Sequence, residues 1–258
     1  MVRIADTPVF KKRVDTEMTY DKINFFLPTY KRVFNRKLTR FIDSVLTYVS
    51  NLNSIMFTFL VNPDDKETID YINREDFIAP ISTLYWKQPT PHLGKMYNMI
   101  YEFTPWKDEN ILVTMVGDDQ EFLTKNYDLR ILDAINKIDG RGFIYCNDTI
   151  QGKRLCTHLF TTRKFVGMTK APFMCELFPA YFIDTVWHRI GQATGTAVYL
   201  DEVIIKHHHY TKNAQCIDET SQRLRVRQGS FKDGYTKVNQ YIKPILNNLK
   251  KEGINCIK

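Results

Sequence analysis

The chain has 258 residues with 36 Lys/Arg against 29 Asp/Glu, 43% hydrophobic residues and only 11 Gly and 10 Pro. That composition excludes disordered and fibrous chains and describes one well-packed globular unit, or at most two. No apolar run approaches the ~18 residues of a membrane-spanning helix; the best is Ile55–Val61.

The opening MVRIADTPVFKKRVD is interrupted by acidic residues and a proline, so it lacks the continuous apolar stretch of a secretory signal. Cys146, Cys156, Cys175, Cys216 and Cys256 are odd in number and never form C-x-x-C, which argues against a disulfide framework or a thiolate zinc site. A cytoplasmic protein with reduced thiols is expected. Residues 203–258 hold 11 Lys/Arg and 4 Asp/Glu, the whole net charge of +7. Such a basic end suits a polyanionic partner or, equally, a solvated helical face kept soluble by lysine.

In chain order, Ile23–Leu27 reads as a strand ended by Pro28-Thr29, and Phe34, Leu38, Phe41, Ile42, Val45 and Leu46 then recur at helical spacing. Ile55–Val61 is a second strand closed by Asn62-Pro63-Asp64-Asp65 and followed by an acidic helix start. Tyr85-Trp86 ends a third strand. Gln88 to Gly94, with two prolines and a glycine, reads as a loop before a helix over Lys95–Phe103. Ile111–Val116 is a buried strand that runs into Gly117-Asp118-Asp119.

A helix follows near Asp128–Ile138, then a strand over Gly142–Cys146 and a hairpin-like stretch around Gln151-Gly152-Lys153. Tyr181–Ala193 reads as a helix capped by Gly195, and Ala197–Lys206 as a strand carrying His207, His208 and His209. Strands and helices alternate without a Pro/Gly-rich break, which predicts a single α/β domain with a mainly parallel sheet.

In such sheets ligands bind outside the carboxyl ends of the strands, so Pro28-Thr29-Tyr30, Asn62 to Asp65 and Gly117 to Asp119 are expected around one crevice. Neither G-x-G-x-x-G after the first strand nor G-x-x-x-x-G-K-[ST] occurs, which removes the main support for Rossmann redox chemistry and P-loop hydrolysis. Asp118 and Asp119 offer oxygen ligands suited to Mg²⁺ or Mn²⁺ bridging a diphosphate. Otherwise one caps the next segment and the other faces water. Strand alternation points His207 and His209 to one face and His208 to the other; the trio could serve a metal or simply be wet. Asp184, among Phe182, Ile183, Val186 and Trp187, could have a pKa raised toward that of a general base, or be a helix-start aspartate.

The order of these marks resembles glycosyltransferases of the GT-A fold, in particular the family-two type and its phage-encoded relatives, over roughly residues 20–210. Phe25-Phe26-Leu27-Pro28-Thr29-Tyr30 resembles the first strand and its nucleotide loop, and Asn62-Pro63-Asp64-Asp65 the second contact to the base. Gly94-Lys95-Met96-Tyr97-Asn98 is similar to the glycine segment whose helix asparagine packs beside the nucleotide. Val116-Gly117-Asp118-Asp119 stands where the family's D-x-D motif ends the fourth strand, with Gly117 replacing the leading aspartate. Phe182-Ile183-Asp184, Gly195 and Asp201 to His207 resemble the acidic base motif, its glycine and the metal-binding histidine.

The resemblance implies a single GT-A (Rossmann-like) domain over residues 1–210 with a basic C-terminal extension, 211–258, packed on it. It implies a donor nucleoside diphosphate sugar, most readily UDP-linked, held by Pro28, Thr29, Tyr30, Asn62, Asp64, Gly94, Lys95, Asn98 and Asp118. A divalent cation, Mn²⁺ or Mg²⁺, would lie on Asp119, His207 and His209, with Asp184 as catalytic base. Gly-Asp-Asp also occurs in viral RNA polymerases, but the chain is too short for fingers, palm and thumb.

The expected acceptor is a hydroxymethylated or similarly modified pyrimidine in DNA, with Arg223, Arg225 and Arg227 tracking phosphates and Phe173, Phe178 or Tyr181 stacking on a flipped base. The alternatives are a surface glycan or protein acceptor, or a non-catalytic nucleic-acid-binding module on the same fold.

Overall fold

The computed structural model describes residues 19–87, 92–105, 109–208 and 231–256. Its strands are β1 (Lys22–Thr29), β2 (Ile55–Val61), β3 (Ile81–Tyr85), β4 (Ile111–Met115), β5 (Gln120–Phe122), β6 (Phe143–Asn147), β7 (Leu159–Thr162) and β8 (Ala197–His207). The helices are α1 (Lys37–Tyr48), α2 (Lys66–Ile72), α3 (Leu93–Phe103), α4 (Tyr127–Lys137), α5 (Arg163–Thr169), α6 (Ile183–Thr194) and, last, α7 (Phe231–Lys251). Among the described residues no helix is long and apolar enough to cross a membrane.

The strands form one sheet in the order β3-β2-β1-β4-β7-β6-β8-β5. The pairs β1–β2, β1–β4, β2–β3 and β6–β8 are parallel, and β4–β7, β6–β7 and β5–β8 are antiparallel. The expected α/β class with a mainly parallel sheet is what the chain adopts, with β7 reversing the direction at its centre.

Period-two alternation along β1 divides the core. Ile23, Phe25 and Leu27 point into one apolar cluster with Leu38, Phe41, Ile42 and Val45 of α1 and Tyr127, Ile131 and Ile135 of α4. Phe26 points the other way, among Tyr97 and Ile100 of α3, Phe165 of α5, Val186, Trp187 and Ile190 of α6, and Val238, Ile242, Ile245 and Leu249 of α7. Both faces are therefore covered, and the central strands read as unbroken apolar runs rather than alternating ones. Phe25 is the hub of the first cluster, its ring packed on Phe41, Phe57, Phe122, Tyr127 and Phe160.

Three local expectations need correction. Pro28 does not end β1 but lies inside it, paired with Leu60. The β4 register stops at Asn24, so no neighbour on that side needs the missing proline N–H. Phe34 is outside α1 and 87% exposed; the helix starts at Lys37, after Arg36 adopts a left-handed conformation. Leu93 and Gly94 belong to α3, whose start is capped by the His92 ring accepting from Lys95 N. The short strands β5 and β7 and helix α5 went unforeseen, being 3, 4 and 7 residues long.

His158, just before β7, is fully buried. Its Nε2 accepts the Cys146 N–H at 3.1 Å, so the ring is neutral in the fold, and burial pushes its pKa down to about 3. The unfolded chain therefore binds a proton that the folded one does not between that value and the ordinary 6.5. Stability carried by this site is complete above pH 6.5 and is lost as pH falls below it. Urea unfolding at pH 7 and pH 5 should show a loss of about 2 kcal/mol from this residue, and His158→Gln should flatten that dependence. An unchanged pH slope in the variant would show that the ring stays charged inside the fold.

Candidate active site

Strands β1, β2 and β4 run parallel, so Thr29, Asn62 and Gly117 to Asp119 emerge at one edge of the sheet. Asp118 is buried and accepts from Thr29 Oγ1 at 2.9 Å, with Arg32 Nε 3.7 Å from the same carboxylate oxygen. Burial pushes the Asp118 pKa up, against the nearby Arg32 charge, and neighbouring Asp119 adds to the rise.

Asp119 behaves in the opposite way. Burial alone would raise its pKa, but His207, with Nε2 3.4 Å from Asp119 Oδ2, holds the carboxyl well below the usual range. The His207 pKa is raised in turn: burial opposes the charge, and Asp119, then Asp148 and Asp184, outweigh it. Lys37, 7% exposed at the start of α1, adds positive charge felt by both aspartates.

The pairing of β5 with β8 creates this contact. Gln120 stands opposite His207 in the antiparallel register, and the His208 N–H donates to Asp119 O at 2.9 Å. Alternation then turns His208 away, where its Nε2 meets Glu121 Oε2 at 2.7 Å. Gly117 departs from the leading aspartate of the motif it resembles for a visible reason: a Cβ there would lie 2.5 Å from Asp119 Oδ1 and displace that carboxylate.

From the opposite side, the His207 N–H donates to Asp148 O at 3.1 Å. Asp148 is buried; its Oδ1 accepts from the N–H groups of Ile150, Gln151 and Gly152, and its Oδ2 from Thr157 Oγ1. Those bonds outweigh burial and lower its pKa. Asp184 lies in the first turn of α6 and feels the His207 charge; burial pushes its pKa up, against the Thr185 N–H bound to its Oδ1 at 2.7 Å. The Asp119 carboxylate and the His207 ring are thus in contact, and the Asp184 carboxyl is near enough to feel the His207 charge.

The other expected nucleotide contacts divide. Among the described residues, Asn62 Oδ1 is buried without a hydrogen-bond partner. Tyr30 sits under Lys31 Nζ, whose backbone, at φ 53°, donates its N–H to Asp65 Oδ2. Asp65 also caps α2 through Thr68, whereas Asp64 is exposed.

Gly94 and Asn98 serve the fold. A Cβ at Gly94 would lie 2.4 Å from Cys175 O, and Asn98 is spent on Met174 N, Met174 O and Glu176 Oε1. Lys95 is exposed. Phe173 is 2% exposed, its carbonyl bound by Trp187 Nε1, so it is not available to stack on a base. His209, Arg223, Arg225 and Arg227 lie outside the described residues. Sequence reading missed Arg32, Lys37 and Asp148. The first two lie in the stretch YKRVFNRK, where only basic amphipathic character was legible.

Among the described residues no three His, Cys, Asp or Glu side chains converge at metal-ligand spacing. Asp119 and His207 nevertheless set a carboxylate oxygen beside an imidazole nitrogen, a donor pair suited to Mn²⁺ when diphosphate oxygens and water complete the shell.

No protein-family model and no curated protein sequence matches the chain. Solved structures do. The chain is similar to residues 1–349 of S. aureus TarS in complex with UDP-GlcNAc, with TM-score 0.59 and 11% identity over 88% of this chain and 67% of that one. It is similar to the mannosyltransferase PcManGT from Pyrobaculum calidifontis in complex with GDP-Man and Mn²⁺, with TM-score 0.55 and 7% identity over 91% and 74%. Against a longer S. aureus TarS structure the match covers 71% of this chain but only 36% of that one, at TM-score 0.52 and 11% identity. The fold is that of the GT-A-like glycosyltransferases.

Proposed function

We propose that this protein is a metal-dependent glycosyltransferase that moves a sugar from a nucleoside diphosphate sugar, a UDP-sugar, to a hydroxyl acceptor. The observation that carries the reading is the contact of Asp119 with His207 beyond the carboxyl ends of the parallel strands, with Asp184 within range of the His207 charge. The uridine would lie across Thr29, Tyr30 and Asn62, at the carboxyl ends of β1 and β2. The complexes of TarS with UDP-GlcNAc and of the mannosyltransferase with GDP-Man and Mn²⁺ favour a nucleotide-sugar donor and a divalent cation.

Asp119 and His207 would hold the cation, which neutralises charge on the departing diphosphate. Thr29 and Arg32 fix Asp118, and Lys37 adds positive charge against which phosphate oxygens can develop negative charge. In an inverting transfer Asp184 takes the acceptor hydroxyl proton, a task its raised pKa suits. Residues 1–210 would form the catalytic domain and 211–258 its basic extension, working in the cytoplasm.

The acceptor we favour is DNA carrying a hydroxymethylated or related pyrimidine. Its support is the +7 of charge confined to residues 203–258. Exposed Lys237, Lys243, Lys250 and Lys251 on α7 lie opposite its buried Val238, Ile242, Ile245 and Leu249, a geometry a solvated face would share. Phosphate contact therefore rests on Arg223, Arg225 and Arg227.

Asp119→Ala should leave the circular dichroism spectrum and melting temperature near those of the wild type while abolishing Mn²⁺-dependent UDP binding in calorimetry. Unaltered affinity would sink the metal assignment. Asp184→Asn keeps the shape of the side chain but removes its proton acceptor, so UDP affinity should persist and transfer should fall by roughly 10²–10⁴-fold. Near-normal turnover would make Asp184 structural or the reaction retaining. Duplex DNA affinity should drop steeply between 50 and 200 mM salt, and Arg225→Glu with Arg227→Glu should weaken binding and flatten that slope. Absence of DNA binding at low salt would leave a glycan or protein acceptor as the better reading.

A further inference from the structure

Phe182 holds a backbone conformation that bulky side chains rarely adopt, with φ 68° and ψ −5°. It is the residue before α6, and its carbonyl accepts the Val186 N–H at 3.0 Å, the bond that closes the first turn. Asp184 sits inside that turn. A strained residue persists only where its surroundings over-determine it, and here the surroundings come from the end of the chain.

The Phe182 ring packs on Phe178 at 5.2 Å and meets Tyr235 of α7 edge-on at 5.3 Å and 84°. Between them lies Gly234, buried in the first turn of α7. A Cβ there would come within 2.3 Å of Phe182 Cζ and 2.5 Å of Cε2, so the bare backbone forms the floor under the ring. Glycine in a helix is entropically unfavourable relative to alanine, yet here any side chain would have to push the Phe182 ring aside.

We infer that Gly234 of α7 clamps Phe182, and through its left-handed turn positions Asp184 in the first turn of α6. Phe182 and Gly234 are positioning residues: neither touches a reacting atom, and both act through the start of α6. The inference rests on the reading of Asp184 as the base, but the clamp itself can be tested without it.

The test is a double-mutant cycle of Gly234→Ala and Phe182→Gly, read in three ways. Amide hydrogen exchange at Val186 reports the first turn of α6. Calorimetry with UDP and Mn²⁺ reports the donor site. UDP release from UDP-glucose, UDP-galactose and UDP-GlcNAc in turn reports turnover.

Gly234→Ala should speed Val186 exchange and lower kcat by roughly tenfold or more, with UDP affinity unchanged. In the Phe182→Gly background, where the ring is gone, the same substitution should cost nothing further in melting temperature or rate. Additive costs, or wild-type exchange and turnover in Gly234→Ala, would overturn the clamp. Should Gly234→Ala fail to fold, Phe182→Gly alone decides: it tolerates φ 68° without strain, so wild-type exchange and turnover in it would overturn the inference. If the wild type binds no UDP, the glycosyltransferase reading fails, while Val186 exchange and the thermal cycle still judge the clamp.

Discussion

Two adjacent carboxylates at the end of a buried strand are the constraint around which the rest of the site is arranged. Removing Asp118 and Asp119 from water is costly unless opposite charge or hydrogen bonds come with them. Thr29 and Arg32 supply these to Asp118, and His207 supplies charge to Asp119. Each partner arrives on a different element, so the site exists only once β1, α1, β4, β5 and β8 are assembled. The opposed pKa directions of the two aspartates follow from that division: one is held by a neutral hydroxyl and a guanidinium at longer range, the other by the closer His207 ring.

What the sequence made legible was the part carried by runs. Ile111 to Val116 is long and apolar enough to be a buried strand by itself, and Asp118-Asp119 at its end follows at once. The helix over Ile183–Thr194 with Gly195 in a left-handed cap was equally readable, because cap chemistry is local. Illegible were contacts set by close approach in three dimensions. Gly94 resembles a nucleotide-loop glycine, but its lack of a side chain is required by the Cys175 carbonyl 81 residues away. Asp148, just past a strand end, carried no signal in the sequence. Only the fold reveals that its carbonyl carries His207. A three-residue strand such as β5 has too few positions to show a period at all.

Positive φ at non-glycine residues occurs beside these contacts and also away from them, at Arg36, Asn126, Asp139 and Lys170. Lys31, Thr149 and Phe182 all have positive φ without being glycine, at 53°, 64° and 68°. Each adjoins a residue of the candidate site: Tyr30, Asp148 and, one residue on, Asp184. Thr149 is β-branched and Phe182 bulky, the side chains least tolerant of that region. Lys31 is held from elsewhere in the chain, by the Asp65 carboxylate, and Thr149 locally, its N–H donating to the Asn147 side chain two residues back. Local strain of this kind, over-determined by tertiary contacts, is expected where geometry serves chemistry rather than stability.

The two apolar clusters assign different work to the two faces of the sheet. Arg32 and Lys37 enter with α1, which packs on the Phe25 face, so the charges around Asp118 and Asp119 depend on that cluster. Asp184 enters with α6, which packs with α7 on the Phe26 face. β8 belongs to both, sending Val203 and Ile205 into the first cluster and ending at His207, between Asp119 and Asp184. A change confined to the α6–α7 packing can therefore shift the proposed base while leaving the proposed donor side intact. In this architecture His207 is the joint at which the two halves must meet, and its Asp148 support, independent of both helices, keeps that joint fixed when either side moves.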